Sequence, residues 1–272
     1  MPWATVTSMP EGDSVYQLAK RLNFMEGREV TRCSIRWPSF ATVDFTGLTC
    51  NKVWPYGKHL FMQFGSDILQ THLKMEGTWA IHRAGTRWRK PGHSARVVLE
   101  LNDEHSRNIE VVGHWLGLVD IYPARDYQQR VSYLGPDILA PEWDIDEAVR
   151  RIEAQPDMEI GRALLDQKNV AGIGNEYRAE ICFIAGIHPA RKVRVVDVRK
   201  ILDISRRLMW ANKDSPVRVT TGVKRAGETA YVFGRNNKPC RRCTTLITKG
   251  FLGGDGDLER VIWWCPHCQP YG

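Results

Sequence analysis

A chain of 272 residues, 43% apolar and 25% charged, is long enough for two domains with sizeable cores. No apolar run reaches membrane-spanning length and the N-terminus lacks the apolar stretch of a signal peptide, so the sequence predicts a cytoplasmic protein with no membrane partner. The formal net charge of +7 points to an anionic partner. Of the seven cysteines, Cys33, Cys50 and Cys182 are scattered while Cys240, Cys243, Cys265 and Cys268 are paired, which suits a reducing compartment better than a disulfide framework.

A second Met-Pro, Met9-Pro10, repeats the Met1-Pro2 pair just ahead of an acid and a helix signal. Ser14 with Gln17 three residues on reads as a capping box, and Val15, Leu18, Ala19 and Leu22 recur on one helical face until Glu26-Gly27. Pro10 and Glu11 thus precede a helix N-terminus, where a carboxylate or phosphate is favoured. From about residue 30 to 122, short alternating runs such as KHLFMQF, ILQTHLKM, ARVVLEL and HWLGLVDIY predict a β-sandwich. The segment YLGPDILAPEWD reads as a linker, after which IDEAVRRIEA, IGRALLDQKN, NEYRAEICFIAG and VRKILDISRRLMWANK read as four helices.

Two motifs carry chemistry. CRRC, followed after 21 residues by CPHC, offers four thiolates that can close a tetrahedron around one structural zinc, with GGDGD absorbing the length as a turn. Arg260, with Arg235, Lys238, Arg241, Arg242 and Lys249, could line such a ribbon at phosphate depth. In LLDQKNVAGIGNEYRAEICFIAGIHP, a tight AGIG turn feeds a helix capped by Asn175 with an apolar face of Tyr177, Ile181, Ile184 and Ala185. That geometry holds either a phosphate or simply an ordinary helical hairpin.

In order along the chain, MPEGD, YGKHLF, LLDQKNVAGIGNEYRAEICF and the cysteine pairs ending WWCPHCQ resemble the formamidopyrimidine-DNA glycosylase and endonuclease VIII family over nearly all of residues 9 to 270. PEGD, KMEG and TTGVKRAGETAYVFGR look more like actinobacterial endonuclease VIII. The resemblance implies an α+β fold: an N-terminal helix plus β-sandwich over 9–130, a helical helix–two-turn–helix domain over 131–230 and a zinc ribbon over 231–272. Residues 1–8 would be a leader missing from the active form.

It implies a monomeric base-excision repair enzyme acting on double-stranded DNA with an oxidised base or abasic site, a glycosylase and lyase working through an N-terminal proline Schiff base with β,δ-elimination. Pro10 would be the nucleophile and Glu11, half-buried against apolar walls, the acid that protonates the opening sugar. Lys58 would contact phosphate and assist catalysis, Lys168, Asn175 and Arg260 would hold the DNA backbone, and Met75 would be the wedge that fills the flipped-out gap. Glu180 matches a family acid but reads equally as a solvated helix residue. VVGHWLG stands where the oxidised-guanine enzymes carry Arg-Phe-Gly, leaving His114 and Trp115 as substitutes or as core residues. With the short TTGVKRAGE loop, that favours oxidised pyrimidines. The alternatives are an oxidised-purine glycosylase of the same family and a non-catalytic damaged-DNA-binding protein, since an acylated proline nitrogen cannot form an iminium.

Overall fold

The computed structural model describes residues 10–103, 108–252 and 260–271, with the side chain of Arg260 outside that description. Two compact units emerge, Ser14–Ser132 and a second built from Tyr133–Gly272 with the segment ending at Asp13.

The first unit is an eight-stranded sandwich. Strands β1 (Val30–Ile35), β5 (Thr78–Arg83), β6 (Ala95–Leu101) and β7 (Ile109–His114) form one sheet in the order β1-β6-β7-β5. The other sheet runs β2-β3-β4-β8, from β2 (Cys50–Tyr56), β3 (His59–Phe64), β4 (Asp67–His72) and β8 (Leu118–Pro123). All of these pairings are antiparallel. Leu60, Met62 and Leu69 of one sheet and Val97, Leu99 and Val111 of the other share a single buried cluster with Val15, Leu18, Ala19 and Leu22 of helix α1 (Gly12–Leu22). The apolar face expected of α1 is therefore its buried face. Its start differs, since the helix opens at Gly12 and leaves Ser14 inside the first turn rather than at the cap.

The second unit holds α3 (Ile145–Glu153), α4 (Ile160–Leu165), α5 (Asn175–Ala185), α6 (Val198–Asn212) and the hairpin of β9 (Thr248–Leu252) and β10 (Arg260–Trp264); a short α2 (Tyr127–Val131) closes the first unit. Asp144 and Asp197 cap α3 and α6 by accepting from Glu147 N and Lys200 N, each at 2.9 Å. The expected linker is packed rather than free: Leu134, Ile138 and Leu139 are buried, and Gly135 N and Ile138 N donate to Gln167 O and Ala171 O. Its apolar spacing outweighs its prolines. The expected turn at 253–257 and the leader at 1–8 lie outside the described residues.

Helix α5 organises this unit. Every residue from Asn175 to Phe183 is buried, so the helix has no solvent face of the kind its sequence suggested. Glu180, fully buried, accepts from the backbone N–H groups of Tyr231, Val232 and Phe233, each at 2.8 Å, and from the Thr220 hydroxyl. It is the anchor for both ends of the segment that follows α6, not a solvated acid. Replacing Glu180 with Ala should orphan these donors, lowering stability by about 1.5–3 kcal/mol for a bond to a charged group. Hydrogen exchange should show the amides of Tyr231, Val232 and Phe233 losing protection first.

Candidate active site

Pro10 is half-buried and directly precedes Glu11 and α1. Gly12 N donates to Gly172 O at 2.9 Å, which draws this turn onto the AGIG turn ahead of α5. The Glu11 carboxylate then reaches the helix N-terminus: Oε2 accepts from Gly174 N at 2.6 Å and Oε1 from Glu176 N at 2.8 Å. These are orphan donors of a helix end, and an anion there is further favoured by the helix dipole. Gly174 is the cap residue, so Asn175 is the first helical residue rather than the cap, because Glu11 supplies the capping oxygens from elsewhere in the chain. Glu11 is only 1% exposed, and its surroundings are N–H donors and a guanidinium rather than the apolar walls expected of it.

The guanidinium belongs to Arg218. Its Nε and Nη2 donate to both oxygens of Asp13 at 2.9 and 2.6 Å, its Nη1 donates to Glu176 at 2.7 Å, and Nη1 lies 3.6 Å from Glu11. Tyr177, beneath the Arg218 plane at 4.7 Å, donates its hydroxyl to Asp13 at 2.8 Å. Three carboxylates therefore share one buried cation. Burial pushes the Glu176 carboxyl up to about 7, with Arg218 opposing and Glu11 reinforcing the shift. Sequence reading missed Asp13, Glu176 and Arg218 as a set, although Asp13 and Glu176 sit within the two motifs it singled out.

Asn175 is 6% exposed; its amide nitrogen donates to Val261 O at 2.9 Å and its oxygen accepts from Arg178. It thereby ties α5 to β10 one residue beyond Arg260. Lys168 is exposed on the turn before AGIG, with its carbonyl held by Arg151 at 2.8 Å. In the sandwich unit, Lys58 follows Gly57 in the two-residue turn between β2 and β3, where Gly57 has a φ of 55°. Beside it, burial pushes His59 down to about 4, and His59 Nδ1 meets Gln70 at 3.1 Å. Met75 stands 62% exposed on the turn after β4. His114 is fully buried against Ser94 at 2.8 Å, so it is a core residue, while Trp115 takes a φ of 46° under the ammonium of Lys90 at 4.5 Å.

The four paired cysteines converge, with ligand atoms all within 4.8 Å of one another. Cys243 Sγ lies 3.4 Å from Cys265 and 3.5 Å from Cys268, and Cys240 lies 3.9 Å from Cys268. Thiolates about 2.3 Å from a tetrahedral metal stand close to this spacing, so the set can hold a metal ion. Backbone N–H groups of Arg242 and Cys268 point at Cys240 and Cys265 sulfurs, each at 3.4 Å. Of the basic residues expected to face phosphate, Arg235, Arg241 and Arg242 instead donate to backbone carbonyls, Arg242 to Phe183 at the end of α5. Lys238 and Lys249 are exposed.

A Cβ on Gly174 would stand 2.2 Å from Glu11 Cδ, so only glycine lets the carboxylate reach the helix end. Gly174→Ala should expel Glu11 and lower stability by about 1–3 kcal/mol, the usual cost of overpacking, measurable by denaturant unfolding.

The N-terminal domain family of formamidopyrimidine-DNA glycosylase matches residues 9–110, and its H2TH domain family matches residues 134–211. A Mycobacterium tuberculosis protein named endonuclease 8 2 is 43% identical over 263 residues, covering 96% of this chain and all of that protein. A Mycolicibacterium smegmatis protein named as a DNA-(apurinic or apyrimidinic site) lyase is 40% identical over 263 residues, covering 96% of this chain and 99% of its own. The Lactococcus lactis formamidopyrimidine-DNA glycosylase, solved bound to DNA containing an abasic site, shares the fold at a TM-score of 0.78 with 20% identity, over 96% of this chain and 99% of that one. With two family matches and relatives of this identity across nearly its whole length, the chain belongs to the formamidopyrimidine-DNA glycosylase family.

Proposed function

We propose that this chain is a monomeric base-excision repair enzyme that removes oxidised pyrimidines from double-stranded DNA and cuts the strand at the resulting abasic site. The observation that carries the reading is the Glu11 carboxylate clasped by the N-terminus of α5, because it fixes the residue next to Pro10. Once residues 1–9 are gone, Pro10 has a secondary amine. Its lone pair attacks the anomeric carbon as the base departs, and the C–N bond formed becomes an iminium when the sugar ring opens. The amine loses a proton as it attacks, and the ring oxygen needs one as it leaves. Glu11, held as an anion, takes the first and returns it as the second. The iminium acidifies the neighbouring C–H, so loss of that proton expels the 3′-phosphate and a second elimination expels the 5′-phosphate.

Around this chemistry, Lys58 contacts phosphate beside the lesion, and Lys168 and Arg260 engage the backbone. Asn175 contributes by holding β10 at Val261, next to Arg260. Met75 is the wedge. The cysteine set holds one zinc ion, whose role is structural: it replaces a core for the ribbon. Preference for pyrimidines is supported by the short loop between Thr220 and Tyr231, closed on itself by Thr220 N to Thr229 O at 2.8 Å and Thr221 to Glu228 O at 2.6 Å. The buried His114 in place of an Arg-Phe-Gly segment supports it too. The absence of any helix among the described residues long and apolar enough to cross a membrane, and the excess of positive charge, suit a location with the DNA in the cytoplasm.

The test is borohydride trapping on duplexes with an oxidised pyrimidine or an abasic site. Protein beginning at Pro10 should become covalently attached and cut. Glu11→Gln should bind equally well yet lose excision, and the chain with its leader intact should bind without cutting. Trapping of the full-length chain, verified by mass, would move the nucleophile away from Pro10, and trapping of no form would leave a damaged-DNA binder. Separately, Cys240→Ser should release zinc, measurable with a chelating dye, and abolish strand cleavage while circular dichroism reports intact helices; full activity without zinc would refute a need for the ribbon.

A further inference from the structure

Three carboxylates, those of Glu11, Asp13 and Glu176, converge with the Arg218 guanidinium at the mouth of α5. Glu11, Asp13 and Glu176 are 1%, 3% and 8% exposed, and the Arg218 side chain is 6% exposed. Among the described residues, the charged groups that act on Glu176 are Arg218 from the segment after α6, Glu11 from the turn into α1 and Glu180 from α5 itself, with Asp13 and Tyr177 joined to the set through Arg218 and the Tyr177 hydroxyl. Arg218 gives Asp13 two hydrogen bonds and Glu176 one, and two helix-end donors, Gly174 N and Glu176 N, go to Glu11. Carboxylates crowded this way raise one another's affinity for a proton.

We infer that Glu176 is a positioning residue for Glu11: the two carboxyls draw on the same guanidinium and the same helix end, so a proton gained or lost at Glu176 sets how strongly Glu11 holds the proton it moves from Pro10 to the sugar. The inference rests on the lyase reading above. With Glu176 ionised, its charge adds to that of Asp13 around Glu11 and Arg218 is drawn towards it, which makes Glu11 the stronger base. With Glu176 protonated, Arg218 serves Asp13 and Glu11, and Glu11 becomes the weaker base. Because burial pushes the Glu176 carboxyl up to about 7, the change falls where the enzyme works.

The experiment compares single-turnover trapping on abasic-site DNA by chains beginning at Pro10, wild type, Glu176→Gln and Glu176→Asp, from about pH 5.5 to about pH 8.5. Glutamine can still accept from Arg218 but never ionises. The ratio of wild-type to Glu176→Gln rate should stay near one in acid and climb through neutrality by roughly tenfold, the effect of about one unit of proton affinity. Glu176→Asp should keep the climb. A melting series gives a readout independent of activity. A carboxyl whose folded value is raised contributes stability below its ordinary range and loses it as pH rises through about 7, so Tm should shift in favour of Glu176→Gln between about pH 5 and about pH 8. A rate ratio that is constant with pH, or a flat Tm difference, overturns the inference and leaves the lyase reading standing. Trapping by none of the three chains overturns both.

Discussion

A helix buried along its length must have its end groups answered by protein, since water is not there to do it, and the second unit is arranged around that requirement. The first N–H groups of α5 are met by Glu11, from a point about 165 residues earlier in sequence, and not by a local cap. At the other end, Arg242 donates to Phe183 O and Gln269 donates to Ile187 O while accepting from Cys265 N. Between them, Asn175 holds β10 and Glu180 holds residues 231–233. One helix thus joins Glu11, the residue after Pro10, to the hairpin beside the four-cysteine set, through bonds whose loss would strand buried polar groups.

This arrangement also bears on the order of proton steps in the mechanism proposed above. A glutamate lodged among apolar side chains would arrive protonated and act first as an acid. Glu11 meets two backbone donors and a nearby guanidinium, contacts of the kind that favour a carboxylate's charged form, so on the reading proposed above it would collect a proton before giving one. In that mechanism the adjoining amine of a freed Pro10 supplies the proton. On that proposed mechanism, the nucleophile and the acid of the ring-opening step would be parts of one transfer.

Much of the architecture was legible in the sequence because it is written locally. The alternating runs are the strands, the 3.6-residue patterns are the helices, and the cysteine spacing marks a set of four converging thiols. What failed were statements about ends and partners. Ser14 and Asn175 are good cap residues by type, yet neither caps, because Gly12 N is drawn to Gly172 and Glu11 occupies the end of α5. Charge alone also says nothing of the carbonyl partners that Arg235, Arg241 and Arg242 take within the fold. The Asp13–Arg218 pair spans 205 residues, and no periodicity reports a contact of that kind.

The two short motifs that stood apart in the sequence, PEGD and AGIGNE, are better understood as the halves of a single joint. A Cβ on Gly12 would stand 2.9 Å from Gly172 Cα, and one on Gly174 would run into Glu11, so the glycines of each half make room for the other half. Gly172 adds a φ of 112°, open to glycine and strained for other residues. The acids Glu11 and Asp13 on one side and Glu176 on the other then meet across the joint, where Arg218 offsets part of their repulsion. Neither half has a reason for its residues alone: PEGD without the turn is an exposed acidic leader, and AGIGNE without the carboxylate is a buried helix with unanswered amides. Their composition follows from being folded against each other, and that closeness holds the carboxylate of Glu11, the residue after Pro10, on the N-terminus of α5.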